Sequence, residues 1–192
     1  MTEYFPIHDE TNAPEAARDQ LAATRKGFGM IPNLEGVMAL APPLLKGYGA
    51  LWDLFDETTF SPIERQVVYQ TINFENECDY CVPWHSLLSR QAKMKPGDIE
   101  ALRAGARLDD PKLEALRRFT ETVVRTRGNI IPDDLDAFLE AGWEPAQVLE
   151  VVLGVATKVM SNYTNSIAGT PLDDAVQSDK WTKPVIKPSN RA

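Results

Sequence analysis

Proline sets the limits of what this chain can fold into. Its 14 prolines fall largely at the edges of apolar stretches with helical spacing. There the missing N–H costs little, because a first helical turn has no intrahelical partner for it. Asn12-Ala13-Pro14-Glu15 has the form of an N-cap followed by a first-turn proline. It predicts a helix to about Gly27, with Gly27 and Gly29 ending it. Ile31-Pro32-Asn33 restarts the chain. A short helix is expected from Leu34 to Leu40, interrupted by Pro42-Pro43, and a second apolar stripe runs from Leu44 to Phe55. Ser61-Pro62-Ile63-Glu64 reads as a capping box with proline at the first helical position, opening a helix to about Glu75. The polar run Asn76 to Asp79 breaks it. Further helices are expected over about Tyr80 to Met94, Asp98 to Ala104, Asp110 to Arg127, Pro132 to Leu139, and Glu144 to Ala168, the last stopped by Gly169 and Pro171. No bounded run of β-branched residues alternates as a strand would. The expectation is an all-α fold: one all-helical domain over residues 1–176 and an extended tail over 177–192. The tail holds Pro184 and Pro188 and is placed to wrap a neighbouring subunit.

At 192 residues the chain is long enough to bury a core without staples. Its 28 acids outnumber 20 bases, for a net charge of −8. That balance argues against nucleic-acid binding, which needs a basic stripe, and against a polybasic membrane surface. No run approaches the roughly 18 apolar residues of a membrane span. The first 20 residues are acidic and polar, without the basic start and apolar middle of a signal peptide. The expected setting is the cytoplasm, with neither nucleic acid nor membrane as partner.

The two cysteines then become informative, because a cytosolic pair is more often catalytic or metal-binding than structural. They form Cys78-Asp79-Tyr80-Cys81, and a disulfide across so short a loop removes little unfolded-state entropy. Pro83 is confined to a first helical turn, and Asp79 is a suitable N-cap. Cys81 is thus expected in the first turn, where the helix dipole favours a thiolate. His85 follows four residues later on the same face, with a pKa suited to taking the thiol proton. A thiolate attacking a hydroperoxide becomes a sulfenic acid, which a second thiol condenses to a disulfide. Cys78 is the candidate for that resolving role, and an external dithiol must then reset the pair. The plainer alternatives are half a zinc site, an inert cysteine pair and a core histidine. Structural zinc wants four ligands; Cys78, Cys81 and His85 supply three, and His8 is far off in sequence. No metal and no cofactor is expected. Trp84 reads as packing.

These residues resemble the alkylhydroperoxidase D-like branch of the carboxymuconolactone decarboxylase family. The likeness extends from Cys78-x-x-Cys81-x-x-x-His85 to Ser61-Pro62-Ile63-Glu64-Arg65, to Asn73 through Cys78, and to Gln147 through Val151. It continues through Ser161-Asn162-Tyr163-Thr164-Asn165 and Thr170-Pro171-Leu172, and covers roughly residues 30 to 175. The resemblance implies a compact multi-helix fold assembling as a homo-oligomer, a trimer or hexamer. It also implies a thiol-dependent peroxidase of antioxidant defence, acting on an organic hydroperoxide or hydrogen peroxide with an external dithiol as reductant. Cys81 would be the peroxidatic cysteine, Cys78 the proton donor and resolving thiol, and His85 the base.

One position departs from the pattern. The family's relay glutamate, twelve residues before the first cysteine, is Gln66 here, and an amide cannot shuttle a proton by ionising. Glu64 and Glu75 lie about half a turn around the helix from Gln66 and should point away. Glu77, eleven residues on, returns to that face if the helix persists. Glu35 would have to approach from another helix. The plainer reading of each of these acids, and the favoured one, is a solvated surface charge. Asn162, Tyr163 and Asn165 sit in a helix apolar nearly all round, so they are expected to brace the site helix or line an interface. Arg117, Arg118, Arg125 and Arg127 read as a solvated face. Four functions remain open at this point: a cysteine peroxidase, a dithiol relay or redox sensor, a lactone-processing decarboxylase and a metal-binding scaffold.

Overall fold

In the computed structural model, which describes residues 3–185, proline opens six of the nine α-helices found among those residues. They are α1 (Glu15–Phe28), α2 (Asn33–Met38), α3 (Pro42–Asp56), α4 (Pro62–Glu75), α5 (Cys81–Gln91), α6 (Pro96–Ala104), α7 (Pro111–Thr126), α8 (Pro132–Glu140) and α9 (Pro145–Ala168). No strand occurs among the described residues. The capping box at Ser61 is present: Glu64 N–H donates to Ser61 Oγ at 3.3 Å, and Ser61 N–H donates to the Glu64 carboxylate at 2.6 Å. The break expected at Pro42-Pro43 is present, since α2 has ended at Met38, and the two prolines themselves supply the first residues of α3, as suits the first turn of a helix. Asn12, expected as a cap, accepts the Asp9 N–H in a preceding turn, and Pro14 takes the cap position of α1.

Part of the expected tail is folded. Residues 174–179 form a 3-10 turn, and Asp179 pairs with Arg90 of α5. Trp181 is buried against Phe74 and donates its indole N–H to the Arg103 carbonyl at 2.8 Å. The remaining expected tail residues, 186–192, lie outside the described residues. Arg117 and Arg125 are not free on a solvated face: Arg117 pairs with Glu114 and Glu121, and Arg125 with Glu75.

Helix α4 is the hub. It packs against α5, α6, α7 and α9, and its residues from Val67 through Phe74 are all buried. Gly154 lets α9 approach it closely, since a Cβ there would stand 2.8 Å from Val68 and 2.9 Å from Phe55. On one side of α4 lies an apolar core of aromatic and aliphatic residues such as Phe55, Tyr69, Leu116, Phe119 and Phe138. On the other lies a second cluster around Leu34, Leu45, Tyr48 and Trp84, which also contains both cysteines. Asp173, just after α9, holds this second half together. It accepts from the Trp84 indole at 2.9 Å, from Asn33 N–H at 3.0 Å and from the Tyr80 hydroxyl, which in turn accepts Leu34 N–H. One carboxylate thereby fixes the start of α2 against the start of α5.

Candidate active site

The site begins where α4 ends. Glu77 adopts a left-handed backbone, φ 55°. Its N–H reaches the Phe74 carbonyl and the Cys78 N–H reaches that of Asn73 at 3.0 Å, the pairing of a Schellman stop. The next three residues carry the chain into α5, whose opening Cys78 caps. Its carbonyl accepts Val82 N–H at 3.1 Å, and its sulfur accepts Cys81 N–H at 3.3 Å. A cysteine, not Asp79, thus satisfies the free donors at the start of α5. Cys81 takes the first helical position.

Cys81 is 2% exposed, and its Sγ lies in a polar nest. Asn165 Nδ2 stands 3.3 Å from it, and Ser161 Oγ 3.9 Å. Burial alone would push the Cys81 thiol up, but the hydrogen bond from Cys78 and the nearby Lys158 ammonium outweigh it and bring its pKa down to about 6. Cys78 is pushed strongly the other way, by giving that hydrogen bond and by burial. These surroundings favour the thiolate at Cys81 and the thiol at Cys78. Asn162 braces the nest, donating to Asn73 at 3.0 Å and accepting from Asn76 at 2.9 Å. Tyr163 is exposed on the opposite face of α9.

His85 is placed differently from the expectation. Its Nδ1 lies 2.8 Å from Gln66 Oε1, and its Nε2 lies 2.9 Å from Lys158 Nζ. The amide oxygen can only accept, so Nδ1 carries the proton and donates to Gln66, while Nε2 accepts from the ammonium. Burial and the Lys158 charge push the imidazole pKa well down. No hydrogen bond joins His85 to Cys81. Its ring joins Gln66 to Lys158, and its surroundings disfavour the imidazolium.

Lys158 is the residue that sequence reasoning missed. It is 1% exposed, and among the described residues no carboxylate pairs with it. A lone lysine within the apolar run Val151 to Met160 of a buried helix is the signal that was there to be read, because a buried cation needs a partner. Its partners are the imidazole, the face of Tyr69 at 5.4 Å and the thiolate charge.

Glu77 is not brought to the site. The Schellman stop turns its side chain out to solvent, where it meets Lys183 at 3.2 Å. Glu64 is spent in the cap and Glu75 on Arg125, both away from Gln66 as their helical angles imply. Glu35 does reach the site from α2. A cavity of about 360 Å³ is lined by Cys81, His85, Lys158 and Glu35 together with aromatic residues including Tyr48 and Trp52. Burial pushes the Glu35 carboxyl up to about 8, its own backbone amide and Lys158 opposing, Asp173 and Cys81 adding. Among the described residues, no three His, Cys, Asp or Glu side chains are grouped to hold a metal ion, and both His85 nitrogens are engaged.

No protein-family model matches the chain, and no curated protein matches it significantly. Solved structures do. An uncharacterized peroxidase-related protein from Ralstonia eutropha JMP134, an alkylhydroperoxidase AhpD core, aligns with TM-score 0.78 and 19% identity over 90% of this chain and 93% of that one. An uncharacterized peroxidase-related protein from Silicibacter sp. TM1040 gives TM-score 0.75 and 20% identity over 90% and 91%. The debrominase Bmp8, in complex with 2,3,4-tribromopyrrole, gives TM-score 0.71 and 13% identity over 85% and 89%. The chain has the alkylhydroperoxidase D-like fold that the sequence resemblance implied.

Proposed function

Given that fold, we propose that this protein is a thiol-dependent peroxidase acting on organic hydroperoxides. The observation that carries the reading is Cys81, buried in the wall of a cavity beside Cys78, where the Asn165 amide and the Lys158 charge favour its thiolate. The thiolate attacks the distal oxygen of the hydroperoxide. The S–O bond forms as the O–O bond breaks, Cys81 becomes a sulfenic acid, and the substrate leaves as its alcohol once protonated. Cys78 then attacks the sulfenic sulfur, water leaves, and the Cys78–Cys81 disulfide remains. An external dithiol reduces it by exchange, which suits a reducing, cytoplasmic setting. The cavity volume falls in the range of sites for small organic molecules and exceeds what hydrogen peroxide needs. No helix among the described residues is long and apolar enough to cross a membrane.

The steady-state consumption of cumene hydroperoxide with dithiothreitol as reductant tests the reading. Turnover that vanishes in Cys81→Ser supports it, and turnover that survives that change sinks it. The aromatic part of the cavity favours a second reading on the same dithiol, reduction of a flat aromatic electrophile, as Bmp8 is a debrominase of the same fold. Bromide release from a brominated pyrrole, without peroxide turnover, would select it.

The expected homo-oligomer has support in α9. Leu149, Val152, Tyr163 and Ile167 are 70%, 52%, 54% and 63% exposed and follow one another at helical spacing on one face. So much apolar surface on a single helix fits an interface between copies of the chain.

A further inference from the structure

The peroxidase reading leaves one proton unassigned. Breaking the O–O bond of an alkyl hydroperoxide expels an alkoxide, a poor leaving group unless it is protonated as it departs. Gln66 cannot supply that proton, and His85 Nδ1–H is committed to Gln66 while Nε2 accepts from Lys158. Cys78 holds its proton for the thiolate and for the water that leaves in the second step.

Resting on that reading, we propose that Glu35 is the general acid of the first step, donating its proton to the leaving alkoxide oxygen. Glu35 lines the same cavity as Cys81 and Lys158. It accepts a hydrogen bond only from its own backbone amide, so nothing else in the described structure employs it. The helix that carries it is held by design of the sequence. Asp173 fixes α2 at Asn33 and, through Tyr80, at Leu34, directly before Glu35. On its other side the N-terminal segment lies over Gly36, where a Cβ would stand 2.7 Å from Ile7 and 2.8 Å from the His8 carbonyl. The charged and titratable groups facing the carboxyl are Lys158 and Asp173, Cys81 and Tyr80 of the α5 side, and Tyr48 of α3. One of these is a cation and two are anions, an environment that keeps a carboxyl protonated.

The step balances. The Cys81 thiolate gains OH and is oxidised to the sulfenic acid, the alkyl oxygen is reduced and takes the Glu35 proton as alcohol, and Glu35 is left as carboxylate. When the external dithiol reduces the disulfide, Cys81 returns as thiolate and the proton so released restores Glu35.

The leaving group separates this role from a structural one. Glu35→Gln should lower kcat/KM for cumene hydroperoxide by about 100-fold. It should change kcat/KM for peracetic acid, whose leaving carboxylate needs no proton, by less than about threefold. The decline of the alkyl hydroperoxide rate through about pH 8 should vanish in the variant, and Glu35→Asp should recover part of the rate together with the decline. Equal losses with both oxidants, or no loss with either, would overturn the assignment. The peracid rate reports that the variant is folded. A natural chain that consumes neither oxidant overturns the peroxidase reading itself and Glu35's role with it, whereas a natural chain active on both with an unselective Glu35→Gln overturns only the role of Glu35.

Discussion

Cys81 and His85 stand one turn apart on the same face of α5, yet their surroundings drive them to opposite states. Around Cys81 the neighbours are donors: the Cys78 thiol, the Asn165 amide and a lysine charge. Burial in such company favours the anion, because hydrogen bonds to the charged form outweigh desolvation. Around His85 the neighbours are an acceptor at Nδ1 and a cation at Nε2. Both burial and the cation oppose an imidazolium. Lys158 serves both ends at once, lowering the thiolate and the imidazole together. The i, i+4 spacing guarantees a shared face; it does not make an acid–base pair. The rest of the shell decides which group ionises.

The strongest way to break this contrast is at its nucleophile. Cys81→Ser should lower peroxide turnover by at least about 1,000-fold, read as consumption of cumene hydroperoxide, while His85→Ala leaves Cys81 alkylation measurable. Lys158→Met removes the charge that both ends share. The midpoint of the iodoacetamide rate against pH, expected near 6 in the natural chain, should rise by about one to two pH units; an unmoved midpoint would show that the donors alone hold the thiolate.

The pH profile of the natural chain sharpens the picture further. The rate with an alkyl hydroperoxide should climb through about pH 6 as Cys81 loses its proton and fall through about pH 8 as Glu35 loses its own. A rate that keeps climbing above pH 9 contradicts the second limb. Gln66→Glu would give His85 a carboxylate partner. Its imidazole should then begin to titrate between pH 5 and 8 in a nitrogen-15 NMR experiment, where the natural side chain stays neutral. The smallest effect lies outside the site. Glu77→Gly relieves a left-handed residue and should raise stability by about 1 kcal/mol, seen as a higher Tm with turnover unchanged. Lost turnover would return Glu77 to the relay.

Most helix limits were legible because proline and the capping residues act locally: Ser61-Pro62, Asp110-Pro111 and Glu144-Pro145 each open a helix where the residues say one should. The cysteine pair and its first-turn position were legible for the same reason. Glu77 was misplaced because the helix angle was carried past the residue where α4 stops, and a glutamate in the left-handed position gives no warning of that stop. Lys158 and Glu35 lie 73 residues after and well before the motif they complete, on helices that only tertiary packing brings to α5. A lysine amid apolar residues signals burial but does not name its partner. Asn165 was expected to brace the site and instead donates to the reactive sulfur itself, a difference of packing that spacing cannot carry.

The proposed chemistry needs a Cys81 thiolate and a Cys78 thiol that close to a disulfide, and a single-turnover measurement addresses this most directly. Fully reduced protein is given one equivalent of cumene hydroperoxide at pH 7, free thiols and remaining peroxide are counted in the same tube, and the intact mass is recorded. Loss of both thiols with one peroxide consumed, a mass lower by two hydrogens and no added oxygen is the expected result. Thiols that persist beside unreacted peroxide, or a stable gain of oxygen on Cys81 with Cys78 still free, would contradict it.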